Sequence, residues 1–303
     1  MRVYTHPACL LHDTGPDHAE RPDRLRAVID ALRASYPDLD WHEAPRASRG
    51  QLVRAHAQGL LDEVIETRPR ERIQLDPDTV LSPQSAEAGL RAAGAGVAAV
   101  DAVLGGQARR VFCAVRPPGH HATHDTAMGF CLFNSIAVAA LHALDQHGLE
   151  RVAVVDFDVH HGNGTQAIFE HDRRVLFASS HQVPLYPGTG AINEVGEGNI
   201  VNAPLPPDAG SAEFREAWAR RLLPAVAAFE PQLLLISAGF DGHRRDPLAQ
   251  LQLDAEDFRW ITSELVAIAN RHCRGRIVSM LEGGYDLEAL AESSVAHMDA
   301  LRA

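Results

Sequence analysis

The sequence predicts a single α/β domain with an open, mostly parallel β-sheet and helices on both of its faces. Its 303 residues, 46% of them hydrophobic, suffice for one large core. Short β-rich runs alternate with helical patterns, and a polar loop follows each of the best-defined runs. No internal repeat or linker-like tract divides the chain. We therefore expect one domain over residues 1–303, with an active site at the C-terminal ends of the strands.

Five apolar runs are predicted to be strands: Arg110–Val115, Arg151–Val155, Val175–Ala178, Gln232–Ser237 and Arg276–Leu281. Helices are predicted over Ala86–Leu104, which stops at Gly105-Gly106, over Ser135–His147, over Phe214–Phe229 with a bend at Pro224, and from Asp254 onward. These helices lie between the strands, which is typical of parallel sheets.

Composition excludes several classes of protein. A formal net charge of -12 argues against a nucleic-acid partner, which favours a basic face. The four cysteines form no CxxC pair and are typical of a reducing cytoplasm. His6, Pro7, His12 and Asp13 interrupt the apolar residues near the N-terminus, so a secretory signal is not expected there. Residues 126–144 have the length of a membrane span but include Asn134 and His142, so a buried loop and helix is expected there.

Each predicted strand runs into a polar loop, and most of these loops contain glycine. The loops read RPPGHHATHD, DFDVHHGNGT, SSHQ, AGFDGHRRDPL and LEGGYD. In an open parallel sheet the carboxyl ends of the strands lie along one edge, where ligands bind. The five loops are therefore expected to converge on one site.

The stretch VAVVDFDVHHGNG, residues 152–164, indicates a metal site. Side chains alternate along a strand, so Asp156, Asp158 and His160 point to the same side if the strand persists. Two buried carboxylates side by side repel each other unless a cation holds them. The plainer interpretation, that each acid caps a helix or faces water, fits one aspartate better than the whole group.

A catalytic divalent metal commonly has three protein ligands and an open position. The loop GFDGHRRDPL offers Asp241, His243 and Asp246 as the third ligand. Taken alone, each of these could equally be a helix cap or a surface pair.

Four blocks, RPPGHHA, DxDVHHGNGT, GFDxHxxDPL and LEGGYD, resemble in this order the zinc-dependent histone deacetylase family. That family includes bacterial histone deacetylase-like amidohydrolases and acetylpolyamine amidohydrolases. The resemblance runs from ERPDR at residue 20 to Tyr285, and HHGNG and GFDGHRRDPLAQLQL look like its class II branch. It implies an arginase/deacetylase-like fold.

The resemblance also implies roles for particular residues. One zinc ion would be held by Asp158, His160 and Asp246. His121 would shuttle a proton and His120 would assist electrostatically. The remaining implied residues are Asp156 and Asn163, which orient these histidines, and Tyr285, whose hydroxyl would meet the substrate carbonyl.

Further assignments rest on the same resemblance. Gly129, Phe130, Tyr186 and Leu253 resemble the walls of a slender acyl-lysine channel, although such residues usually pack a core. Arg24 resembles an arginine behind the active site. A monovalent cation, potassium, is implied near Asp156, Asp158, His160, Ser179 and Ser180.

The implied activity is hydrolysis of the amide of N-acyl-lysine or of a related acylated amine. An acetylpolyamine amidohydrolase is the nearest alternative, and the chain lacks the long insertions of that group. A binuclear manganese hydrolase of the arginase type would need a DAHxD pattern, which residues 156–163 do not show. A non-catalytic acyl-lysine binder would not need both tandem histidines and Tyr285. Ferrous iron or cobalt could replace zinc in such a hard ligand set.

Overall fold

A computed structural model describes residues 1–303 as a parallel β-sheet between two layers of helices. The strands are β1 (Arg2–Thr5), β2 (Asp40–Glu43), β3 (Ile73–Gln74), β4 (Val80–Leu81), β5 (Arg110–Cys113), β6 (Val152–Asp156), β7 (Val175–Gln182), β8 (Ile200–Leu205), β9 (Leu233–Ala238) and β10 (Ile277–Leu281). Eight of them form one sheet in the order β2-β1-β5-β10-β9-β6-β7-β8, and every pairing in it is parallel. Strands β3 and β4 form a small antiparallel hairpin.

The helices are α1 (Pro22–Ser35), α2 (Arg49–Leu52), α3 (Gln58–Glu66), α4 (Ser85–Leu104), α5 (Ser135–His147), α6 (Asn163–Phe169), α7 (Ser211–Ala217), α8 (Leu223–Phe229), α9 (Ala255–His272) and α10 (Leu287–Arg302). One layer contains α4 packed on α5, and the other has α10 packed against both α1 and α9. None of the helices combines the length and the apolarity that a bilayer crossing requires. The predicted fold class is confirmed.

All five predicted strands are present, and the sheet contains three more. The additional strands β1, β2 and β8 lie at or next to the sheet edges. Strand β2 reads DWHE and β8 contains Pro204, which lacks the backbone donor that a central strand needs. Edge strands require less apolar sequence because one side of their backbone has no partner strand, so their pattern is weak.

The predicted helices are also present, but the one over Phe214–Phe229 is divided. Helix α7 begins earlier, at Ser211, and a wide π turn over Trp218–Leu222 separates it from α8. Pro224 is the second residue of α8, where its missing N–H costs little. The interruption of the predicted helix therefore precedes Pro224.

Helix α4 approaches the segment after β2 so closely that one of its positions has no room for a side chain. A Cβ at Gly94 would lie 1.9 Å from the carbonyl oxygen of Pro45 and 2.7 Å from the amide nitrogen of Ala47. The Ala47 amide donates to the Leu90 carbonyl at 2.9 Å, so backbone packs directly on backbone here.

We expect Gly94→Ala to destabilise the protein. Alanine favours a helix by about 1 kcal/mol, but a clash with backbone atoms cannot be relieved by side-chain rotation, and the net loss should be about 1–3 kcal/mol. The matched control is Gly59→Ala in α3, where a Cβ meets nothing within 4 Å. Urea unfolding should show the control unchanged or slightly more stable. Equal stability of the two variants would show that the approach of α4 is not tight.

Candidate metal centre and active site

The loops after β6, β9 and β10 meet at the carboxyl edge of the sheet, where these three strands are neighbours. A backbone amide of each loop donates to an oxygen of another loop. Gly283 donates to Asp158 Oδ2 at 2.8 Å, and Val159 donates to Asp241 Oδ1 at 2.9 Å. The Phe240 amide donates to the Gly283 carbonyl at 3.0 Å. The three loops therefore fix one another.

Asp158, His160 and Asp241 form a fully buried cluster with the spacing of metal ligands. His160 Nδ1 lies 3.1 Å from both Asp158 Oδ1 and Asp241 Oδ2. Burial lowers the pKa of His160, but its contacts with the two carboxylates outweigh burial and raise that pKa to about 10. The cluster therefore strongly attracts positive charge.

The surroundings of the cluster fit a divalent cation. A Cβ at Gly239 would lie 2.0 Å from Asp158 Oδ2, and one at Gly283 would lie 2.0 Å from Asp241 Oδ2. Glycine is thus required where the chain wraps the carboxylates. The two carboxylates carry two negative charges, of which a protonated imidazole would neutralise only one. Carboxylate oxygens and an imidazole nitrogen are ligands that suit zinc, iron or cobalt.

The structure does not place Asp246 in this cluster, so the ligand set that the resemblance implied needs a correction. Asp246 Oδ2 accepts from the Tyr285 amide at 2.7 Å, and its Oδ1 accepts from the Leu248 amide at 3.0 Å. Asp241 follows the end of β9 by three residues and stays at the sheet edge, whereas Asp246 lies beyond a further turn. Asp246 braces the loop of Tyr285 instead.

The tandem histidines have different partners. His120 Nδ1 lies 2.9 Å from Asp156 Oδ2, and His121 Nδ1 lies 2.8 Å from Asn163 Oδ1. Burial lowers the pKa of both rings. For His120 the charges of Asp156 and Asp158 outweigh burial and raise its pKa well above the usual value. His121 has its pKa held well below the usual value by burial and by the nearby His120 and His160.

Glu282 holds the backbone of the histidine pair, a role that the sequence did not suggest. Its Oε2 accepts from the amides of Gly119 at 2.6 Å and His120 at 3.3 Å, and its Oε1 accepts from Ser237 Oγ at 3.0 Å. Burial raises the pKa of Glu282 to about 7. The only sequence signal is a glutamate directly after an apolar strand.

Tyr285 is braced from behind by Arg24, which is fully buried. The Arg24 guanidinium donates to the carbonyl oxygens of Glu282 and Gly284, pairs with Glu20 at 3.0 Å and lies 4.8 Å from the Tyr285 ring centroid. Burial raises the pKa of Tyr285 well above its usual value, so the phenol remains a neutral hydroxyl donor.

A channel of about 220 Å³ leads to these groups. Three of the predicted wall residues, Gly129, Phe130 and Tyr186, line it together with Leu185 and Leu248, and His121, His160 and Tyr285 also face it. A Cβ at Gly129 would lie 2.5 Å from the His121 ring, so this glycine is needed for close approach.

Leu253, the fourth predicted wall residue, does not line the channel. Its side chain is buried in the core, and a Cβ at Gly242 would lie 3.1 Å from its Cδ1. In the sequence LQLD, Leu251 and Leu253 alternate with Gln252, and both leucines point inward. The leucines of the channel are Leu185 and Leu248.

The residues predicted for a monovalent cation lie on the neighbouring strands β6 and β7 and in the loop that follows β6. Asp156 is paired in register with Ser179, and Asp156 Oδ1 accepts from the Asp158 amide at 3.0 Å. The Ser180 hydroxyl accepts from Trp218 Nε1 at 3.0 Å. The carbonyl oxygens of Asp158 and His160 accept no backbone hydrogen bond.

Comparison with known proteins shows the family of this chain. Residues 18–301 match the family described as the Histone deacetylase domain. The histone deacetylase-like amidohydrolase of Pseudomonas aeruginosa is 39% identical over 91% of this chain and 79% of its own length. The polyamine deacetylase HDAC10 of Homo sapiens is 39% identical over 94% of this chain and 44% of its own length.

A crystal structure of the HDA15 HD domain superposes with a TM-score of 0.94 and 37% identity, and the match covers 99% of this chain and 87% of the HDA15 chain. The family match covers nearly all the residues that form the sheet and its loops. The chain therefore belongs to the histone deacetylase family and is a hydrolase of the deacetylase and amidohydrolase type.

Proposed function

We propose that this protein is a metal-dependent deacylase that hydrolyses N-acyl-lysine side chains or related acylated amines. One zinc ion would be held by Asp158, His160 and Asp241. The observation that carries the proposal is that His160 of this cluster, a histidine with a lowered pKa and a neutral tyrosine hydroxyl face one narrow channel. Amide hydrolysis needs an activated water, a proton carrier and an oxyanion donor, and each has a candidate here.

A divalent ion in this site would lower the pKa of a coordinated water to about 7 and polarise the acyl carbonyl. His121 accepts the proton of the attacking water. Its Nδ1–H donates to Asn163 Oδ1, which leaves Nε2 as the acceptor. His121 then passes the proton to the departing amine. An amide oxygen at Asn163 stabilises the resulting imidazolium less than a carboxylate would, so the proton is easily released.

His120 and Tyr285 stabilise charge rather than carry the proton. The Asp156 and Asp158 carboxylates keep His120 protonated, and its positive charge offsets the oxyanion that develops on the substrate. The Tyr285 hydroxyl donates to the same oxygen. Asp246 holds the Tyr285 amide and Arg24 lies behind its ring, so the donor is positioned before substrate arrives.

A potassium ion beside Asp156 is part of the proposal. The free carbonyl oxygens of Asp158 and His160 and the neighbouring residues Ser179 and Ser180 support it. Such an ion would keep the Asp156 carboxylate charged, which in turn keeps His120 protonated.

We expect acyl-lysine peptides to be better substrates than N-acetylated polyamines. The channel walls Phe130, Leu185, Tyr186 and Leu248 suit the aliphatic stem of lysine. The second ammonium group of a polyamine would find one carboxylate in the lining, Asp78, which already accepts from the Gly129 amide and the Thr79 hydroxyl. Assays with zinc-reconstituted protein should give a kcat/KM at least roughly tenfold higher for acetyl-lysine or longer acyl-lysine peptides. A preference for acetylated polyamines would instead indicate polyamine deacetylase activity, for which the human relative is named. No hydrolysis with zinc, iron or cobalt would indicate a binding protein.

The corrected ligand set makes a separate prediction. Asp241→Asn should abolish tight zinc binding because it removes one of two anionic ligands, whereas Asp246→Asn should keep about one zinc per chain and lose turnover through a loosened Tyr285 loop. Metal content after reconstitution and desalting is the measurement. Full zinc retention by Asp241→Asn, or zinc loss by Asp246→Asn alone, would restore Asp246 as the ligand.

Tyr285→Phe and His121→Ala should each lower kcat by a factor of about 10² to 10³ while zinc stays bound. The loss arises because the oxyanion donor or the proton carrier is absent. Tyr36→Phe is the matched control, since Tyr36 does not line the channel and its hydroxyl donates to the Val295 carbonyl at 3.0 Å and to Asp299. Steady-state kinetics with metal analysis tests both. Full activity of either variant would remove that residue from the mechanism.

A further inference from the structure

The loop between β7 and β8, residues 183–199, carries the channel wall residues Leu185 and Tyr186. The Tyr186 ring centroid lies 5.1 Å from that of His121 and 6.4 Å from that of His160. No helix or strand supports this loop from within. Its position must therefore come from contacts with its surroundings.

A ring of side-chain hydrogen bonds anchors the loop to α6. His161 Nδ1 lies 2.8 Å from Thr189 Oγ1, and His161 Nε2 lies 2.9 Å from Gln166 Oε1. Gln166 Nε2 donates to Glu194 Oε2 at 2.7 Å. Glu194 in turn accepts from the amides of Gly190 at 3.1 Å and Ala191 at 2.9 Å, which closes the ring beside Thr189.

The donors and acceptors of this ring can be arranged in only one direction when the His161 ring is neutral. The Glu194 carboxylate only accepts, so Gln166 must turn its amide nitrogen to Glu194 and its oxygen to His161. His161 Nε2 must then donate, and its Nδ1 accepts from the Thr189 hydroxyl. Asn202 Nδ2 donates to the same Gln166 oxygen at 2.8 Å and reinforces this direction.

The backbone of the loop is also held between two imidazole rings. Gly190 has φ +88°, and a Cβ there would lie 2.3 Å from His181 Nε2 and 2.7 Å from the His161 ring. His181 Nε2 donates to the Gly190 carbonyl at 2.9 Å. Contacts on both sides therefore fix the position of the segment that follows Tyr186.

We propose that His161, Gln166 and Glu194 are positioning residues, which form a clasp that holds Tyr186 over the active site. His161 follows His160, so the clasp links the loop of the metal cluster to the wall of the channel. This inference rests on the proposed deacylase function, because Tyr186 acts as a wall only if an acyl chain enters. The clasp should govern KM and acyl-chain preference more than kcat, because it touches no reacting group.

Glu194→Gln tests the clasp, because the NH₂ of the new amide would face either the Gln166 NH₂ and the Gly190 amide or the Ala191 amide, and each of these needs an acceptor. We expect amide hydrogen exchange over residues 185–191 to rise roughly tenfold or more, and KM for an acyl-lysine peptide to rise roughly tenfold with kcat changed by less than about twofold. The matched control is Glu197→Gln in the same loop, whose exposed carboxylate pairs with Arg173 at 2.9 Å. It should leave exchange and kinetics unchanged.

The exchanged pair Gln166→Glu with Glu194→Gln should restore both properties in part. The carboxylate at 166 would accept from His161 and from the NH₂ at 194, and the amide oxygen at 194 would keep the Ala191 amide, while the Gly190 amide would lose its acceptor. The rescue remains informative if Glu194→Gln alone folds poorly. Exchange or KM in Glu194→Gln equal to the control, or no rescue by the pair, would overturn the clasp. Hydrogen exchange does not require turnover and therefore tests the clasp separately from the proposed function. If the protein hydrolysed no acyl-lysine but showed the expected exchange pattern, the proposed function would be contradicted and the clasp would be supported.

Discussion

The buried negative charge at the carboxyl edge of the sheet is the constraint on which the other features of the site depend. Asp156, Asp158 and Asp241 are inaccessible to solvent or nearly so, and an unpaired buried carboxylate is costly. Backbone amides of Asp158, Val159 and Gly283 donate to them, and the His120 and His160 rings supply positive charge. The chain must therefore approach the carboxylates very closely, which explains the glycines at 162, 239 and 283, where a Cβ would lie 2.0–2.4 Å from a carboxylate oxygen.

A second set of buried charges fixes the residues that would meet the substrate. Glu20 accepts from Arg24 and Arg116, and these two guanidiniums, together with Glu20 itself, have no solvent exposure. The coulombic attraction of the arginines outweighs burial and lowers the pKa of Glu20 to about 2. Arg24 donates to the Gly284 carbonyl and so restrains the Tyr285 loop. Glu282 accepts from the Gly119 amide and so restrains the histidine loop. Loops without secondary structure thereby gain the fixed geometry that catalysis needs.

The sequence could predict the features that arise from local patterns. Apolar runs located the five central or near-central strands, and the spacing of Asp156, Asp158 and His160 indicated a metal site. The choice between Asp241 and Asp246 was beyond local reasoning, because both follow one strand and only the path of the turn decides which carboxylate returns to the sheet edge. The sequence could not show which of Leu248 and Leu253 lines the channel, because a leucine in the core and a leucine in a channel wall are equally apolar. Edge strands such as β2 gave too little apolar signal.

The two histidine pairs show how one dipeptide can serve two purposes. In each pair the two side chains point in different directions. His160 reaches the carboxylates while His161 turns away to Thr189 and Gln166, and His120 reaches Asp156 while His121 faces the channel. The pKa of each first ring is raised and that of each second ring is lowered, to about 3 for His161. Burial lowers the pKa in all four rings, so the contact with carboxylates decides which histidine carries charge. In both tandem pairs, the ring that contacts carboxylates has a raised pKa and its neighbour a lowered one.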